Sequence, residues 1–70
     1  MSKFDFGMRL YYARKKKGLT QEELSEKCGI TQTQYSMYEV GRRYPSVENL
    51  LKLKTTLDVS LDWLFAEGTL

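Results

Sequence analysis

The sequence predicts an all-α fold, a compact bundle of five short helices forming one domain over residues 1–70. Three observations carry that expectation. Helix-start signals recur along the chain: Thr20 with Glu23 and Thr31 with Gln34 read as reciprocal capping boxes, and Ser46 and Ser60 as single caps. Four of the five glycines, Gly18, Gly29, Gly41 and Gly68, stand where a helix should stop. No stretch alternates apolar and polar residues with the period of two that a half-buried strand requires.

Taken in order, residues 1–5 are expected to form a flexible arm. From about Phe6 to Lys17 the apolar positions Phe6, Leu10 and Ala13 recur at helical spacing, and Gly18 ends the helix. A second helix, about Gln21 to Cys28, starts at the Thr20 cap, with Leu19 and Leu24 at hydrophobic-staple positions, and buries Leu24 and Cys28. A third, about Gln32 to Val40, starts at Thr31 with Ile30 and Tyr35 as its staple. The segment Arg42 to Pro45 is a loop, because Pro45 holds Tyr44 in extended conformations. The fourth helix, about Val47 to Leu57, is expected to bury Val47, Leu50, Leu53 and Leu57. Ser60 opens a fifth, about Leu61 to Glu67, with Val59 and Leu64 as staple and Gly68 as stop.

Composition narrows the function. The chain has one cysteine and no histidine, which excludes Cys/His metal clusters, His-dependent triads and disulfides within the chain. No metal or cofactor is expected, and an enzyme is disfavoured. Cys28 falls one helical turn beyond Leu24 and reads as a small core residue. A lone cysteine and the lack of a long apolar run point to a soluble, cytoplasmic protein. Net charge is only +2, but its distribution is uneven. Arg14 to Lys17 form one basic block and Arg42 with Arg43 another. A basic block alone is most often a solvated face, and lysines at a helix end also suit its dipole. Two blocks flanking the second and third helices shift the reading toward phosphate contacts.

Two capped helices joined by so short a turn at Gly29 must cross steeply, which describes a helix-turn-helix. The sequence resembles the phage Cro and lambda-repressor-like helix-turn-helix family over about Leu10 to Gly68. The carrying pieces are RKKKGLTQEELSEKCGIT, a YE pair followed by GRRYPSVENLLKL, and VSLDWL, all in register. The resemblance implies that the third helix enters the DNA major groove and that Gln21 clamps a phosphate. It also implies an ion pair between Arg14 and Glu39. Tyr35, where the family has Ile or Val, Met37, where a polar base-reader is common, and Lys54, where alanine is usual, depart from the pattern.

Phosphate contacts are expected from Gln21 with the N–H groups opening the second helix, and from Lys17, Arg42, Arg43 and Tyr44. If Tyr35, Tyr38 and Glu39 face inward, a step of about 100° per residue turns Thr33, Ser36, Met37 and Val40 outward. Base contacts are therefore expected from Thr33, Ser36 and Met37, and also from Gln32, which lies to the side of that face but at the leading tip of the helix. Gln32 suits N6 and N7 of an adenine, and Thr33 or Met37 a thymine methyl. The expected function is a sequence-specific double-stranded DNA-binding transcriptional regulator that represses by occupying an operator. The alternative is an antitoxin or other protein-interaction module. One recognition helix reads too few base pairs, so a homodimer on a (pseudo)palindromic site is expected. Trp63 or Phe65 is the candidate for its interface.

Overall fold

In the computed structural model, which describes residues 2–67, five α-helices run in the order α1 (Lys3–Lys16), α2 (Gln21–Cys28), α3 (Gln32–Glu39), α4 (Val47–Leu57) and α5 (Leu61–Leu64). Each start is capped locally. Thr20 Oγ1 accepts from the Glu23 N–H at 3.0 Å, and the Glu23 carboxylate accepts the Thr20 N–H at 2.9 Å. Thr31 and Gln34 repeat the exchange at 3.1 Å in both directions. Ser46 and Ser60 accept from the Asn49 and Trp63 N–H groups. Between α2 and α3 the chain turns at Gly29, whose φ of 68° lies in the left-handed region that side chains with a Cβ avoid.

The core is Phe6, Leu10, Ala13, Leu24, Cys28, Tyr35, Tyr38, Leu53, Leu57 and Leu64, with Leu19, Ile30 and Val59 packed against it. Each fully buried leucine contributes roughly 1.5–3 kcal/mol relative to exposure. α1 lies across α3 and α5, while α2 packs on α3 and α4. The α1–α3 crossing is close because Gly7 has no side chain. A Cβ there would stand 2.7 Å from the Tyr38 carbonyl oxygen and nearer still to that of Glu39.

Three expectations are corrected. The N-terminal arm is helical from Lys3, because Ser2 and Asp5 form a capping box and the Phe4 backbone rests on Gly41. Val47 is 73 % exposed and not core. Steps of three drift about 60° around a helix, so Leu50, Leu53 and Leu57 share a face that Val47 leaves. The fifth helix ends at Leu64 and not at Glu67. The Trp63 carbonyl there accepts both the Arg9 guanidinium at 3.0 Å and the Ala66 N–H at 3.3 Å. The expected stop at Gly68 lies outside the described residues. No helix among the described residues is long and apolar enough to cross a membrane.

Candidate nucleic-acid interface

α3 sits on the surface with Tyr35 and Tyr38 driven into the core, 0 % and 5 % exposed. That anchoring fixes its rotation. Gln32, Thr33 and Gln34 are exposed, Ser36 and Met37 half-buried, and Val40 exposed. Gln34 is occupied by its capping box.

Two shallow hollows meet on this outward face. One, of about 290 Å³, is lined by Gln21, Gln32, Thr33, Ser36 and Met37. The other, of about 400 Å³, is lined by Thr33, Gln34, Met37 and Tyr38 of α3 with Arg43, Tyr44, Ser46 and Asn49. Thr33 and Met37 are common to both. The structure therefore brings all four expected base-readers together, with Gln21 on one flank and Arg43 and Tyr44 on the other. A larger hollow, about 570 Å³, lies between α2 and α4 and is lined by no residue of α3.

The flanking groups are held in place. The Arg42 and Arg43 N–H groups both donate to the Met37 carbonyl, at 2.9 and 3.3 Å, which ties the basic loop to the end of α3. The Tyr44 ring packs edge-on against Phe6 at 5.4 Å, with the Lys3 ammonium 5.8 Å from its centre. Asn49 Nδ2 donates to the Tyr38 hydroxyl at 3.0 Å and so joins α4 to α3 beneath the second hollow. Lys17 is placed elsewhere, with Leu57, Asp58 and Val59 at the α4–α5 junction, its ammonium 4.0 Å from the Asp58 carboxylate.

Behind the face, Arg14 and Glu39 join α1 to the end of α3. Arg14 Nε and Nη2 donate to the two Glu39 oxygens at 3.0 and 2.8 Å, and Nη1 to the Leu19 carbonyl at 2.8 Å. The two side chains are 9 % and 6 % exposed. Burial alone pushes the Glu39 carboxyl up, but the bonds from Arg14 and Gln21 outweigh it and hold the group below the ordinary carboxylate range. The hydrogen bond to Glu39 likewise raises the Arg14 guanidinium further. Tyr35 brings its hydroxyl to the same knot without meeting hydrogen-bond geometry, and burial pushes that phenol strongly up.

Several contributors escaped the sequence reading. Arg9 is 5 % exposed, bonded to the Trp63 carbonyl and stacked 5.2 Å from the Trp63 ring. It lies among Phe6, Leu10 and Ala13 on the buried side of α1, a weak signal available in the spacing. Gly7 and Asn49 act through tertiary neighbours that no local pattern announces. Both candidate interface aromatics lie back on α1: Phe65 stacks on Phe6 at 5.0 Å, and Trp63 is 6.3 Å from Tyr12. Phe65 remains 41 % exposed. Among the described residues no group of acids or cysteine is placed to hold a metal ion.

Comparison with known proteins gives a consistent result. The model of the helix-turn-helix family matches residues 10–64. The chain is 44% identical over 59 residues to YqaE, an uncharacterized helix-turn-helix-type transcriptional regulator of Bacillus subtilis, covering 84% of this chain and 51% of the relative. It is 39% identical over 56 residues to the cryptic phage CTXphi transcriptional repressor RstR of Vibrio cholerae, covering 80% of this chain and 50% of the relative. The chain thus spans about half the length of these curated relatives. Among solved structures, the restriction-modification controller protein C.AhdI from Aeromonas hydrophila superposes with a TM-score of 0.84 at 40% identity, over 90% of this chain and 96% of that one. With most of its length matched in sequence and in shape, the chain belongs to the helix-turn-helix family, of the Cro/C1 type.

Proposed function

We propose that this chain is a sequence-specific double-stranded DNA-binding transcriptional regulator that represses by occupying its operator. The observation that carries the reading is the outward face of α3, where Thr33 and Met37 are shared by two hollows with different flanks. α3 enters the major groove and presents Gln32, Thr33, Ser36 and Met37 to base edges. Gln21 with the free N–H groups opening α2 meets the backbone on one side, and Arg42, Arg43 and Tyr44 meet it on the other. Lys17, set against Asp58, is left out of that assignment. The names of RstR as a repressor and C.AhdI as a controller protein support a regulatory role.

One recognition helix reads only a few base pairs, so two copies act together on a (pseudo)palindromic site. Phe65, exposed beside Tyr44, is the side chain offered for that pairing. A binding selection from random duplexes tests the proposal. It should recover inverted half-sites about one helical turn apart. Recovery of no common sequence would overturn sequence-specific binding, and recovery of a single half-site would overturn the paired form.

A further inference from the structure

The Gln21 side chain is held from inside the protein. Its Nε2 lies 3.2 Å from Glu39 Oε1. An ionised carboxylate accepts hydrogen bonds and never donates them, so the nitrogen end of the carboxamide must be the end that faces it. The opposite orientation would set two acceptor oxygens against each other. Glu39 in turn has no freedom to follow Gln21. Both its oxygens are gripped by the Arg14 fork, and Arg14 is fixed again by the Leu19 carbonyl. A carboxamide nitrogen carries two hydrogens, and Glu39 engages one. The second is left on a residue that borders the hollow of Gln32, Thr33, Ser36 and Met37.

We propose that Glu39 is a positioning residue for DNA binding: it presets the Gln21 carboxamide as a donor to a DNA phosphate. The inference rests on the proposed phosphate contact of Gln21 and adds to it. The pair that joins α1 to α3 thereby also sets the first residue of α2, so three helices converge on one backbone contact. A glutamine at an exposed first turn ordinarily samples many rotamers and turns either end of its amide outward. Ordering such a side chain on binding weakens affinity by roughly two- to ten-fold, and Glu39 removes that cost before DNA arrives.

The test is a double-mutant cycle read as affinity for a duplex of mixed sequence at low salt, where backbone contacts dominate. One arm is Gln21→Met, which keeps length and removes the donor. The other is Arg14→Met with Glu39→Met, which removes both charges together and strands neither. Gln21→Met should weaken binding about ten-fold or more, as expected for losing a bond to a charged oxygen. The Arg14→Met/Glu39→Met variant should weaken it roughly two- to ten-fold while Gln21 is present, and not at all once Gln21 is Met. No effect of Gln21→Met would remove the phosphate contact itself. A full effect of Gln21→Met, with the same affinity change from the paired replacement in both backgrounds, would overturn the positioning role alone. A second measurement needs no variant: side-chain amide relaxation by NMR in the free wild-type protein. The Gln21 amide should be as ordered as the backbone, whereas an amide as mobile as that of exposed Gln32 would overturn the proposal even if the paired variant failed to fold.

Discussion

Arg14→Met should unfold this domain more readily than any change at a surface charge. The substitution keeps the aliphatic stem and removes three donors, two to Glu39 and one to the Leu19 carbonyl. What remains is a carboxylate whose side chain is 6 % exposed, faced by the neutral Gln21 amide and Tyr35 hydroxyl and by no countercharge. Breaking a buried pair on one side costs about 3–5 kcal/mol, because the surviving charge stays desolvated. A chain of 70 residues has a total stability of only about 3.5–10 kcal/mol at roughly 0.05–0.15 kcal/mol per residue. Each kcal/mol moves the midpoint of so small a domain by about 4–8 °C, so even the lower figure lowers it by about 12–24 °C. Thermal melts followed by circular dichroism provide the assay, with two comparisons. Arg14→Met/Glu39→Met should recover most of that loss, since removing both partners leaves no charge stranded and only the Leu19 carbonyl and the Gln21 amide lose a bond. Lys52→Ala should change little, about 1 kcal/mol or less, because its 3.4 Å contact with Glu48 joins side chains that are 42 % and 78 % exposed. If Arg14→Met melted as Lys52→Ala does, the pair would not be buried and the reasoning would fail.

Other consequences follow from single features. Gly7→Ala gains about 1 kcal/mol of helix propensity, yet its Cβ meets the α3 backbone, so a net loss of about 1–3 kcal/mol is expected. A denaturant midpoint at or above wild type would show that α1 does not cross α3 so closely. Asp58 closes α4 with a φ of 56°, a strained setting for a residue with a Cβ, and its contact with Lys17 is long and exposed. Asp58→Gly should therefore raise stability by about 0.5–1 kcal/mol in the same melt, and a loss would contradict that assignment. Acid acts through Glu39, whose carboxyl in the folded protein lies below its ordinary value of 4.5. Its contribution is present above that ordinary value and is lost as pH falls through the lowered one. With no histidine in the chain, stability should stay nearly level from about pH 8 to 5 and then fall, so a decline that began near neutrality would need another group.

The helix starts were legible because a capping box is complete within four residues, as at Thr20 and Thr31. The same logic was available at Ser2 and Asp5, which stand three residues apart as the other pairs do, but residues 1–5 were expected to form a flexible arm. The outward face of α3 followed from periodicity once Tyr35 and Tyr38 were turned inward. Val47 went astray because a run of leucines at steps of three was extended one step too far. Gly7, and the partner of Arg9, were illegible for a different reason. Their roles depend on Tyr38, Glu39 and Trp63, brought near only by folding. Gln21 and Glu39 were each visible, but only the tertiary structure joins them across 18 positions of sequence.

The central claim, that α3 reads bases while flanking groups grip phosphates, is tested most directly by salt-dependent affinity of wild type, Gln32→Ala and Arg43→Ala. Each is titrated on the best duplex from the selection and on a scrambled one. Arg43→Ala should weaken both duplexes alike and lower the log–log salt slope by about 0.9. Gln32→Ala should leave the slope unchanged and cost about 1–3 kcal/mol on the selected duplex alone. Equal losses on both duplexes for Gln32→Ala, or wild-type binding that ignores salt, would contradict the account.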